Sequence, residues 1–68
     1  MNIQVGDMLA YRSHRFYGVC VITKINAELD EFDACWIVSQ KDGENCEFYN
    51  TSLGLNQMVK SRDWRKLS

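Results

Sequence analysis

The side chains best equipped for chemistry gather in one short stretch, "RSHRFYGV", from Arg12 to Val19. It holds two arginines, the only histidine and two adjacent aromatics. Arg12 and Arg15 can grip a carboxylate or phosphate in a two-pronged way, because a guanidinium presents parallel N–H donors. His14 adds a donor whose charge changes near neutral pH. Phe16 and Tyr17 offer ring faces, and aromatics and arginines are the common anchors of protein interfaces. The plainer reading is a charged, solvated loop with both rings tucked into the mouth of the fold. Catalysis fits less well. Acid–base work needs two groups held close with separated proton affinities, and His14 has no acidic neighbour in sequence. No phosphate-cradling glycine loop is present. A chain of 68 residues also leaves little volume for a substrate pocket of roughly 300 Å³. The expectation is a protein without enzymatic activity or cofactor.

The three cysteines, Cys20, Cys35 and Cys46, form no CxxC pair, and one histidine cannot complete the common zinc patterns. An odd number cannot all pair within one chain. They read as small core hydrophobes, kept reduced in the cytosol. A Cys–His nucleophile would need the fold to bring the two together. The metal expectation is none.

Charge is unevenly spread. The net charge is −1, yet residues 1–50 carry −4 and residues 51–68 carry +3. Weak overall acidity argues against tight nonspecific nucleic-acid binding, which draws on phosphate neutralisation. The tail "KSRDWRK" leaves room for a local basic patch of Lys60, Arg62, Arg65 and Lys66, with Tyr11 or Trp36 to stack on bases. The same tail is also an ordinary solvated face. Four acids in "AELDEFD", namely Glu28, Asp30, Glu31 and Asp33, serve solubility or face a basic partner. No stretch approaches the roughly 18 apolar residues of a membrane span, and the N-terminus lacks the layout of a secretion signal. A cytoplasmic protein with no membrane contact is expected.

The elements that must position these groups are short strands. "MLAYR" follows a Gly6-Asp7 turn signal and alternates. "YGVCVITKIN" is rich in β-branched residues, with Val19, Val21, Thr23 and Ile25 expected on one face and Cys20 and Ile22 on the other. Both faces are largely apolar, so this strand should be central. "ACWIVSQ" and "ENCEFYN" flank "KDG", a hairpin signal. A two-residue turn at Asp42-Gly43 sets Ile37 against Phe48 and Trp36 against Tyr49; a three-residue loop sets Trp36 against Phe48. Either register leaves one of Trp36, Phe48 and Tyr49 on the outer face. Gly54 discourages a long helix. Met58 and Val59 suggest a short closing strand, and Trp64 and Leu67, three apart, suggest a terminal helical turn that plugs the core. About five close-spaced strands in one domain, residues 1–68, are the pattern of a small all-β barrel.

These residues resemble those of the Tudor and Src-homology-3-type small barrels. "VGDMLAY" resembles the opening of a Tudor domain, "FYGVCVITKI" its second strand, and "VKSRDWRKL" its closing strand and helical turn. The Gly18-led run is also similar to the KOW-type barrels. The resemblance implies a five-stranded barrel that binds at its first and third loops. It also implies an aromatic cage for a methylated side chain, with Phe16 or Tyr17 as one wall and Trp36 or Tyr49 as another.

Two functions follow as expectations. One is an interaction module that binds another protein through Arg12, His14, Arg15, Phe16, Tyr17, Trp36 and Tyr49. A small free-standing domain of this kind suits an inhibitor or immunity-type protein. The other is a nucleic-acid-binding barrel using Lys60, Arg62, Arg65 and Lys66. An exposed aromatic patch would also suit a homodimer.

Overall fold

Two long strands dominate the chain because β-branched and aromatic residues fill them without a proline. In the computed structural model, which describes residues 1–48 and 54–67, β1 spans Met8–Ser13, β2 Phe16–Asn26 and β3 Glu31–Lys41. The short β4, Glu44–Asn45, and β5, Trp64–Lys66, complete the sheet, with helix α1 at Leu55–Lys60 between them. All pairings are antiparallel and the order is β4-β3-β2-β1-β5. The all-β expectation therefore holds, with β2 central as its apolar faces require.

Tight turns set the registers. β1 and β2 are joined through His14 and Arg15 alone, since Ser13 pairs with Phe16. His14 takes a left-handed φ of 42°. β3 and β4 are joined through Asp42 and Gly43, since Lys41 pairs with Glu44. Both central residues of that turn have positive φ, 54° and 80°, the geometry that favours Asp-Gly in two-residue hairpins. The two-residue alternative is thus the one adopted. Its extrapolation to Ile37 against Phe48 is not met; the other pair, Trp36 against Tyr49, involves a residue outside the described ones. The ladder is followed only as far as the bond from Cys46 N to the Ser39 carbonyl, 3.0 Å. Beyond it, Phe48 packs on Trp36 with ring centroids 4.8 Å apart.

Two β-bulges decide which residues face the core. Between Ile22 and Lys24 the register shifts at Thr23; between Val19 and Cys20 it shifts at Ile37 on the partner strand. A bulge lodges an extra residue in one strand and so reverses the alternation beyond it. Ile25 accordingly leaves the face expected for it and joins Cys20 and Ile22 against the core, opposite Phe32. Leu9, Cys20, Ile22, Met58 and Trp64 form the buried cluster, and Ile3, Tyr11, Ile25, Phe32, Ala34, Trp36 and Leu55 pack around it.

The C-terminal third reverses the expected order of helix and strand. Met58 is fully buried, but from a helix; Trp64 is buried from a strand, paired with Tyr11 on the free edge of β1. The helical element therefore precedes the last strand and is not terminal. Leu67 is 45% exposed and plugs nothing. The cause is tertiary. Asp30, at the tip of the β2–β3 turn, accepts hydrogen bonds from Leu55 N through its carbonyl (2.9 Å) and from Asn56 N through its carboxylate (2.7 Å). These satisfy N–H groups at the start of α1 that the helix cannot bond itself. Gly54 caps the helix in an extended conformation, and a Cβ there would strike the Asp30 carboxylate.

Candidate functional site

Antiparallel pairing puts the β1–β2 turn and the β3–β4 turn at the same end of the sheet, and this is where most of the singled-out residues lie. The two turns are tied together. Arg15 Nε donates to Asp42 Oδ1 and Oδ2 at 3.0 and 3.1 Å, and Nη2 to Oδ2 at 2.5 Å. The backbone N–H of Asp42 donates to the Arg15 carbonyl at 2.8 Å. The Arg15 guanidinium holds the Asp42 carboxyl below its usual range, and Asp42 in turn raises the pKa of Arg15. Arg15 is therefore a fastener between turns, and Arg12 and Arg15 do not converge on one point. The expected long first loop is a two-residue turn.

Strand alternation distributes the remaining groups over two faces. Arg12 pairs with Tyr17 on the outer face, its guanidinium 5.3 Å from the ring centroid. Phe16 points to the core side, where Lys41 Nζ lies 5.7 Å from its ring centroid and Phe48 packs at 6.0 Å. Each cation is held over the electron-rich face of a ring, worth about 0.5–1 kcal/mol at an exposed site. His14 is exposed at the turn between them. Trp36 is half-buried on the core side, in contact with Phe48, Tyr11 and Trp64, so it does not stand out into solvent. Tyr49 lies outside the described residues.

The basic tail is less coherent than its composition suggests. Lys60 ends α1, Arg62 sits in the following turn, and both are exposed. Arg65 and Lys66 are adjacent in β5 and so point to opposite faces. Lys66 is engaged, with Nζ 3.3 Å from Asp7 Oδ2 and 3.2 Å from the Asn2 carbonyl oxygen. Asp7 has its pKa lowered first by the N–H of Gln4, which donates to its carboxylate at 2.8 Å, and then by Lys66. Tyr11, also offered for base stacking, packs at 4.9 Å against Trp64.

The cysteines divide by environment. Cys20 is fully buried, and burial pushes its thiol up to about 11. Cys35 is exposed on the opposite face and Cys46 is half-buried, so only Cys20 is a core residue. Among the described residues no cluster of His, Cys, Asp and Glu is placed to hold a metal ion. Among them, too, no helix is long and apolar enough to cross a membrane.

Sequence reasoning missed the residues that organise this end. In sequence Asp42 reads as turn chemistry only, and Lys41 carries no signal of its own. The partner of each is about 25 residues away in sequence, at a distance set by strand length. Comparison of the chain with family models, curated proteins and solved structures finds no match.

Proposed function

We propose that this chain is a non-enzymatic protein-interaction module. It is built as a small Tudor or Src-homology-3-type barrel and binds a larger, carboxylate-bearing protein partner at the end of the sheet formed by its first and third hairpin turns. An inhibitor or immunity-type role suits its size. The single observation that carries the reading is the presence of two cation–ring pairs, Arg12–Tyr17 and Lys41–Phe16, on opposite faces of one end. The Arg15–Asp42 clamp locks the turns between them. Preorganised aromatic and cationic side chains lose little freedom on binding, which is what an interface anchor requires. The return of β5 to the edge of β1 after a four-strand meander supports the barrel.

The test is capture of a partner from the native source on immobilised protein. The wild type retains it, and the double variant Arg12→Glu with Lys41→Glu releases it. Arg15 is left intact so that the turn clamp survives. Equal recovery on both baits would defeat the reading. A salt-sensitive electrophoretic shift with nucleic acid, abolished by Lys60→Glu with Arg62→Glu, would favour the basic tail instead.

A further inference from the structure

The outer face of the sheet, away from the core, is apolar at its centre. Strand register places Val19 and Val21 of β2 there, opposite Val38 and Cys35 of β3. The bulge adds Ile37, which is 58% exposed, the most exposed large apolar side chain of any strand. Antiparallel sheets commonly leave one face to water, and then that face reads polar. Charged residues flank this apolar patch. Arg12 of β1 stands at one end, and Arg65 of β5 borders the patch in the row of Ala10 and Val19. Glu31 and Asp33 occupy the other, on β3 with Asn26 and Lys24 beside them. Arg12, Arg65, Glu31 and Asp33 are all exposed, and none forms an ion pair with another described residue.

We infer that this outer face docks a second copy of the chain, related by a two-fold axis lying between the two sheets. This goes beyond the proposed function, which uses the turn end of the sheet; the two surfaces share the Arg12–Tyr17 pair. The arrangement of charge selects the occupant. A two-fold axis that lies between the sheets and runs across the strands reverses the strand direction, so the Arg12 end of one copy lies over the acidic end of the other. Each interface then gains the pairing twice, since an isologous contact repeats every interaction. The middle of the span between the Arg12–Tyr17 row and the Lys24–Asp33 row falls on Val19 and Val21, so the axis passes through the apolar patch. Stacked sheets pack about 10 Å apart with interleaved side chains, which buries Ile37 and brings the two copies of Cys35 near the axis. The monomer also has reason to associate: among the described residues its buried cluster holds five, and small domains with slight cores commonly gain stability from oligomerisation.

Sedimentation equilibrium at about 100 μM chain should give a mass near twice 7.9 kDa. Ile37→Asp should sediment as a monomer with an unchanged far-ultraviolet spectrum, because Ile37 is not part of the core. Asp33→Arg should weaken association by about tenfold, and adding Arg12→Glu should restore it by exchanging the two charges across the interface. In a Cys46→Ser background a short bis-maleimide should join two chains through Cys35. Partner capture by Ile37→Asp should persist, which separates this surface from the one proposed above. A monomeric wild type at about 1 mM, or a dimer that Ile37→Asp leaves intact, would overturn the inference; so would a charge exchange that fails to restore association.

Discussion

The ring of Trp36 lies directly on the backbone of Gly18. A Cβ at residue 18 would stand 2.6 Å from Trp36 Cζ3 and 2.7 Å from Phe48 Cε2. The glycine opens β2 so that two aromatic rings from outside that strand, packed edge to face with centroids 4.8 Å apart, can close onto its backbone. Gly18 is thus required by packing, not by its backbone angles. Gly18→Ala should destabilise the protein by about 1–3 kcal/mol through overpacking, read as a lower urea midpoint. Its tryptophan emission should shift as Trp36 moves outward. A midpoint equal to wild type would mean the rings move aside without cost.

Asp30 controls whether α1 forms. Asp30→Ala removes the carboxylate that accepts from Asn56 N and should cost about 1–2 kcal/mol, the usual range for losing a helix cap. Asn at this position keeps an acceptor and tolerates the left-handed φ of 55°, so Asp30→Asn should lose less. Denaturant titration of the two variants checks the order.

The buried thiol of Cys20 makes stability fall at alkaline pH. Its folded-state pKa, about 11, lies above the ordinary value of 9.0. Its contribution is therefore complete below pH 9 and is lost as pH rises toward 11. A shift of this size is worth on the order of 2 kcal/mol. Cys20→Ala should flatten the alkaline limb of a plot of urea midpoint against pH, while lowering the whole curve through the cavity it leaves. In the native protein Cys35 should react first with a thiol reagent, and Cys20 only on unfolding.

Acid should loosen the two ends for the opposite reason. Asp42 and Asp7 have folded-state pKa values below the ordinary 3.8. Their contributions are present above that value and are lost as pH falls through the lowered ones. Asp42→Asn keeps a residue that accepts the turn's positive φ but removes the charge facing Arg15. It should reduce the acid sensitivity of the urea midpoint below the ordinary carboxylate value of 3.8. An unchanged pH profile would show that the pair is too well solvated to matter.

Much of the fold is legible in the residues themselves. The β-branched run after Gly18 marks β2, and Asp42-Gly43 marks the β3–β4 hairpin, because both signals act over a few neighbouring residues. What escapes is whatever a distant residue decides. Met58-Val59 and Trp64-Arg65 are each too short for period to separate helix from strand. Asp30 and the open edge of β1 settle the matter from across the molecule. The candidate site is legible as a set of residue types, but its geometry is not. Nothing near Arg15 in sequence announces that Asp42 will hold it, and nothing near Phe16 announces Lys41.

The two irregularities in the central hairpin have a joint effect that neither has alone. Phe16 pairs with Lys41 and Asn26 with Glu31, so both ends of the hairpin keep the same numerical offset; only between Cys20 and Ile22 does it differ by one. The surplus residue at Ile37 is compensated by the one at Thr23, and β2 and β3 finish at equal length, 11 residues each. Neither surplus residue has a partner across the hairpin, so removing Thr23 or Ile37 leaves every other pair as it is, with Cys20 still opposite Trp36 and Ile22 still opposite Ala34. The hairpin can therefore shed a residue at either of these points and stay in phase with its turns.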